Sequence, residues 1–404
     1  MALDTARKTS PDLNRCAQTM NNFVANELKD TRLSMSIRDM GEFTDTGHGW
    51  CSASGIYNHA PVIFHCSKRH DLVNANCLRT VATKAKPKRI LPLPKQENWK
   101  KLYASARRIK RNCLADLDYA DYFVKQLLGG EANLHNRTVL EYMPGPGLIT
   151  KSLLRHNAKG VIVLEYEPSF LQTNMDIAKQ HPKDTLTVLP YHSSLAVDAW
   201  RSSEGIFAQI PTASWDILRS DLLITGMLNM GRFQILSRFL HNIMSRQHMF
   251  HFGRVEAIMV CDEKTIDTAL ASLGDKECRP LSIWTQGCAN IEVIDDNVPS
   301  DAFWLKMPTP MKVIRITPFV KPLLYASPEV LHYVMTMLYT RKRQSLSTAI
   351  RTLAPDAIEL LDDFKGDPDL PVYQLTLDQI NQITMKFDYW SKRPPILNET
   401  LALL

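Results

Sequence analysis

The sequence predicts an α/β domain built on a parallel sheet, followed by a small all-helical domain. Three observations carry this. From about residue 99, short apolar runs alternate with segments of helical period, the pattern of βαβ units. A Gly/Pro turn, Met143-Pro-Gly-Pro-Gly147, joins the first of those runs to the helix after it. After Pro318 the β-rich runs stop, and apolar residues repeat at i, i+3, i+4 and i+7.

The elements follow in order. Residues 117–128 suit a helix, with Tyr119, Phe123 and Leu127 on one stripe. Residues 138–141 form a short β-rich run, 148–156 a helix, 161–165 a second strand, 170–180 a helix and 185–189 a third strand. Ile217 with 222–225 reads as a further strand, 233–245 as a helix and 254–260 as another strand. The stretches 281–294 and 312–317 read as β-rich. Pro328-Glu329 opens a helix whose apolar stripe is Val330, Tyr333, Val334, Met337 and Leu338. Further helices are expected at 346–353, 357–364 and 378–387. The domain limits expected from this are 1–100 for an N-terminal arm, 101–320 for the α/β domain and 321–404 for the helical domain and tail.

Composition narrows the class. The 404 residues are 45% hydrophobic and 22% charged, which excludes a wholly disordered or collagen-like chain. No apolar run reaches the roughly 18 residues of a membrane helix, so no membrane partner is expected. The net charge is +6, but residues 68–111 hold fourteen Lys or Arg against Asp71 and Glu97. That segment is +12, and the remainder sums to about −6. The 8 Cys form no CxxC pair and no finger spacing with His, so neither structural zinc nor a disulfide framework is expected. Residues 1–100 are broken by Pro61, Pro87, Pro92 and Pro94, and read as a mostly disordered basic arm. MALDTARKTSPDLNR carries the Arg and Ser of a mitochondrial transit peptide, together with Asp4 and Asp12.

LEYMPGPGLITKSLL is the strongest local signal. A strand running through a Gly/Pro turn into a helix presents backbone N–H groups at a helix start, with bare backbone at Gly145 and Gly147. Glu165 ends the second strand, twenty residues past Gly145, where a carboxylate accepts from ribose hydroxyls. Only two glycines are present, with Met143 where a first would stand. Loop, acid and strand order together point to an adenosine-containing cofactor in an S-adenosylmethionine-type Rossmann fold. Arg341, Lys342, Arg343 and Arg351 read as cations of one helix, placed to take nucleic-acid phosphates. The run 84–95 reads as a solvated face. Trp284, Trp304 and Tyr325 are candidates for stacking on bases, although core burial is the commoner fate of Trp. His241 and His251 read as structural or surface residues.

LEYMPGPGLITKSLLRHNAKGVIVLEYEPSF resembles the first two cofactor motifs of the rRNA adenine dimethyltransferases. The segments 107–128, 280–318 and 337–353 resemble further motifs of that family, in the same order, so the likeness covers about 105–390. It implies S-adenosylmethionine as cofactor, held by Leu114, Glu141, Gly145, Gly147, Glu165 and the residue after the third strand. There the family's acid aligns with His192. After the fourth strand the family carries Asn-Leu-Pro-Tyr/Phe, which orients the target adenine. Here the stretch is Ile224–Asn229, with Gly226 where the Asn is expected and Asn229 able to replace it only after a loop shift. Within the family, 248–270, 281–293 and 345–361 are most similar to the promoter-melting branch of animal mitochondrial transcription factors. That likeness implies an initiation factor of the mitochondrial nucleoid, in the matrix, whose partners are the mitochondrial RNA polymerase and melted promoter DNA. The alternatives are an active dimethyltransferase of small-subunit rRNA, and an RNA-binding ribosome-assembly protein without chemistry.

Overall fold

Strands buried on both faces set the architecture of the computed structural model, which describes residues 93–182, 184–190, 206–228, 234–305, 307 and 309–394. All of these belong to one unit, Arg89–Leu404. The arm up to residue 92, His192 and Asn229 lie outside the described residues.

Two short helical turns, Trp99–Leu102 and Ala104–Arg108, lead to α1 (Leu117–Tyr122), capped by Asp116 on the amides of Asp118 and Tyr119. The stripe expected over 117–128 is present, but Phe123–Leu127 is a π turn. Then β1 (Thr138–Tyr142), α2 (Leu148–Arg155), β2 (Gly160–Glu165), α3 (Pro168–Ala178) and β3 (Leu186–Pro190) alternate, followed by β4 (Leu222–Met227), α4 (Gln234–Ser245) and β5 (Ala257–Asp262). Ile217 does not join β4. It is 65% exposed, in the turn before the strand.

The expectation of β structure from 281 onward is corrected over its first part. Pro280–Cys288 is a helix, preceded by α5 (Glu263–Leu270) and therefore labelled α6. Seven of its nine residues are buried, so no polar face marks its period. β6 (Ala289–Val298) and β7 (Met311–Pro318) complete a seven-stranded sheet in the order β3-β2-β1-β4-β5-β7-β6. The first five strands are parallel, and β7 runs antiparallel to β5 and β6. The order reverses between β1 and β4. Open α/β sheets bind ligands at the carboxyl edge of such a reversal.

Successive strand residues face opposite layers. Leu140, Ile162, Ile224 and Met259 join a core with α4 and α6, while Val139, Val161, Leu223 and Ile258 join a core with the 99–128 segment, α2 and α3. After Pro318 come α7 (Pro328–Thr340), the short α8 (Leu346–Ala349), 3-10 turns at Ile350–Thr352 and Ala357–Leu361, and α9 (Leu377–Asp388). Ser327 caps α7, and Thr376 with Gln379 makes a reciprocal box at the start of α9. The apolar faces of α7 and α9 share the first core with α4 and α6.

Candidate functional site: the loop after β1 and a cationic turn after α7

β1 ends at the reversal point, and the chain leaves it through three residues with left-handed backbone. Met143 has φ +54°, Gly145 +65° and Gly147 +90°. Met143 thus does a glycine's conformational work, which a side chain makes less favourable. Both glycines are required by space as well as by φ. A Cβ on Gly145 would lie 2.6 Å from Cys113 Cβ, and one on Gly147 2.6 Å from Asn174 Oδ1. The Asn174 amide holds the turn from α3, donating to the carbonyls of Gly145 (2.7 Å) and Phe170 (2.9 Å). This residue went unseen in the sequence. Nothing in the mixed polar and apolar sequence of α3 sets it apart from Gln172 or Thr173.

Two carboxylates converge beneath the loop, both fully enclosed. Glu141 accepts from the Thr150 hydroxyl at 2.6 Å, while its Oε1 has no partner. Burial pushes its carboxyl up to about 8, well above the ordinary carboxylate range. Glu165 accepts from the amide of Gly145 (3.1 Å) on Oε2 and from those of Tyr166 (2.9 Å) and Glu167 (3.0 Å) on Oε1. Arg111 Nη2 stands 3.6 Å from Oε2. Burial raises the Glu165 carboxyl, opposed chiefly by the Arg111 guanidinium and then by those amides. Of the residues expected to hold a cofactor, Glu141, Gly145, Gly147 and Glu165 are thus brought together. Leu114 is buried next to Cys113, the residue that covers Gly145. It forms a β-bridge with Phe303 and belongs to the core.

The residues as placed do not fit a bound nucleotide-type cofactor. Glu165 is closed to solvent and its acceptor positions are taken by the chain itself, while Cys113 covers the bare face of Gly145. Arg111, the last of the fourteen cations counted over residues 68–111, is fully buried.

Gly226 needs a second correction. It lies inside β4, paired with Tyr142, and not in the loop beyond the strand. A Cβ there would sit 1.9 Å from the Tyr142 carbonyl oxygen, with φ at +142°. No Asn fits at this position without a shift of the Tyr142 backbone.

The four cations expected on one helix are not on one helix. α7 ends at Thr340, where Arg341 leaves helical geometry. Arg341 and Arg343 are exposed in the turn that follows, and Arg351 is exposed in a separate 3-10 turn. Lys342 turns back instead, its ammonium donating to the carbonyls of Lys276 and of Cys278 (3.1 Å). The turn 340–344, with Tyr339 and Arg279, lines a cavity of about 500 Å³. Arg279, which the sequence did not single out, pairs with Glu277 at 3.7 Å and remains 42% exposed. Trp284 is buried, Trp304 packs edge-on against Trp99 and Tyr103, and Tyr325 is 64% exposed.

Residues 123–388 match the family described as ribosomal RNA adenine dimethylase. The chain belongs to this family. A mitochondrial dimethyladenosine transferase 1 of Vermamoeba vermiformis is 25% identical over 339 residues, covering 76% of this chain and 97% of the relative. The human protein of the same name is 24% identical over 304 residues, covering 73% and 85%. Among solved structures, a dimethyladenosine transferase from Plasmodium falciparum aligns with TM-score 0.46 at 14% identity, over 68% of this chain and 97% of that one. The 23S rRNA methyltransferase ErmE aligns with TM-score 0.41 at 16% identity, over 68% and 98%. The family match thus runs from the π turn that follows α1 to the end of α9.

Proposed function

We propose that this family member works as a nucleic-acid-binding initiation factor of mitochondria, with the mitochondrial RNA polymerase as its main partner and melted promoter DNA as its ligand. Methyl transfer is weak or lost in this reading. The observation that carries it is the contrast in availability of charge. Arg279, Arg341 and Arg343 surround an open cavity, whereas the acids beneath the β1 loop are sealed. Exposed guanidinium groups take phosphates without regard to sequence, which suits a protein that holds an opened strand. The limits 101–320 and 321–404 go with this reading, as do the nucleoid as its place and a transit peptide within 1–100. Run-off transcription from a linear mitochondrial promoter, with the matching polymerase, tests it. Transcripts should depend on this protein on duplex templates and much less on premelted ones. Equal output with and without it on duplex templates overturns the reading.

A second reading is favoured by the names of the relatives, which are dimethyladenosine transferases, and by the left-handed geometry kept at Gly145 and Gly147. It makes this chain an S-adenosylmethionine-dependent dimethyltransferase of small-subunit rRNA. Labelled methyl incorporation into an rRNA hairpin separates the two readings.

A further inference from the structure

A cofactor loop of this shape offers a ligand two things, an acid for its sugar and bare backbone for close approach. One short segment of this chain, residues 111–113, takes both. Arg111 Nη2 donates to the Met143 carbonyl at 2.9 Å and faces Glu165 Oε2 at 3.6 Å, while Nη1 donates to the Asn112 carbonyl at 2.8 Å. Cys113 lies against the face of Gly145 that has no side chain. A carboxylate has about four lone-pair sites. At Glu165 three are met by backbone amides and the guanidinium occupies the last direction. Nε of Arg111 is buried with no partner, and the guanidinium is held instead by Glu165, the Met143 and Asn112 carbonyls and the Tyr166 side chain. Both side chains are wholly enclosed.

We infer that Arg111 is an internal occupant of the cofactor loop: it takes the place at Glu165 that a ribose would fill, and it sets how weakly this chain binds S-adenosylmethionine. The inference rests on reading the β1 loop as a cofactor loop, and it is independent of which nucleic acid the protein holds.

Calorimetric titration of the full chain with S-adenosylmethionine, and with its demethylated product, tests it without any catalytic readout. The parent should show no saturable binding up to millimolar ligand. Arg111→Gln keeps a donor for the Met143 carbonyl but withdraws the charge from Glu165, and it should bind at least tenfold more tightly than the parent. A parent that binds in the micromolar range, weakened by Arg111→Gln, overturns the inference, because Arg111 would then be a ligand of the cofactor. A folded Arg111→Gln protein that still binds nothing overturns it too, since something other than Arg111 would close the site. Should that variant not fold, the parent alone decides. Its thermal midpoint should be unmoved by millimolar S-adenosylmethionine, and an upward shift of several degrees, the mark of ligand linkage, sinks the idea. Run-off transcription by the parent is scored separately, so failure here is distinguishable from failure of the proposed function.

Discussion

Arg111 lies enclosed at the carboxyl edge of the sheet, bonded to Met143 and facing Glu165, whereas Arg341 and Arg343 stand exposed around a cavity beyond α7. The residue type is the same, and the physics is opposite. A buried guanidinium is held by what it pairs with, and removing either partner strands a charge in low dielectric. An exposed one contributes little to folding and keeps its hydrogen-bonding capacity for a ligand. In this chain the first kind lies beneath the β1 loop, and the second is the surface that the proposed function assigns to nucleic acid.

The largest effect should come from the strand beside that loop. Gly226→Asn places a Cβ 1.9 Å from the Tyr142 carbonyl oxygen, a side chain driven into backbone in the middle of the sheet. It should cost more than about 4 kcal/mol, beyond the range of ordinary substitutions, and leave little soluble protein. Rebuilding an acceptor motif from residue 226 would therefore unfold the site it means to restore. Urea unfolding measures this. A variant with the parent's midpoint would show that the β1–β4 register is wrong.

Next comes the enclosed pair. Glu165→Ala leaves Arg111 buried without its carboxylate and should cost about 3–5 kcal/mol. A loss below about 1 kcal/mol would mean that Arg111 escapes to solvent, and the contrast between the two arginines would fail with it.

How much of this was legible in the sequence follows from the same contrast. Strands buried on both faces appear as continuous apolar runs, so β1, β2, β4 and β5 were readable to within a few residues. The same signal misled at α6, where a fully buried helix also shows an unbroken apolar run. The better guide there was Pro280 at the first helical position, with Ser282 closing the cap. The fate of Arg111 was illegible, because local charge counting cannot say which cation a fold encloses. Lys342 is a similar case, since its carbonyl partners lie 66 and 64 residues away. Gly226 was visible as a residue, but only strand pairing shows why it must be glycine.

A pH titration sharpens the comparison from both sides. Glu141 is held at about 8, above its ordinary carboxylate value, because burial disfavours its charge. A group raised on folding contributes stability that is complete below the unfolded value and fades as pH climbs through the folded one. Stability should therefore decline between about pH 4.5 and 8 from this residue, by no more than about 1.4 kcal/mol per pH unit for one proton. Glu141→Gln should flatten that decline. On the acid side, His332 is held at about 4 by burial and then by His241, while His241 and His248 are also lowered, chiefly by burial. These groups stabilise above the ordinary histidine value, and that contribution is lost as pH falls from about 6.5 toward 4. His332→Asn should blunt the acid limb alone. Denaturant midpoints across pH 4–8.5 test both signs. Glu165, also raised by burial, is common to both proteins, so an alkaline limb no flatter in Glu141→Gln than in the parent would return the Glu141 carboxyl to an ordinary ionised state.

The smallest effect on folding, and the most informative on binding, belongs to the open turn. Arg341→Ala with Arg343→Ala removes two exposed side chains that make no ion pair among the described residues. Stability should change by less than about 0.5 kcal/mol. Lys342 is left in place because its ammonium ties the turn to the 276–278 carbonyls, so changing it would mix folding with binding. Each phosphate released from contact lowers the salt slope for a single strand by roughly 0.7, so the pair should lower it by about 1.4. Adding Arg279→Ala should lower it by about 0.7 more if the cavity is one binding surface. Arg351→Ala, which lies outside that cavity, is the internal comparison and should change the slope least. Fluorescence anisotropy on a labelled single strand at several salt concentrations reads all four proteins. Equal slopes for parent and double variant would make the turn a solvated surface, and the nucleic acid would then have to be sought on another face of the chain.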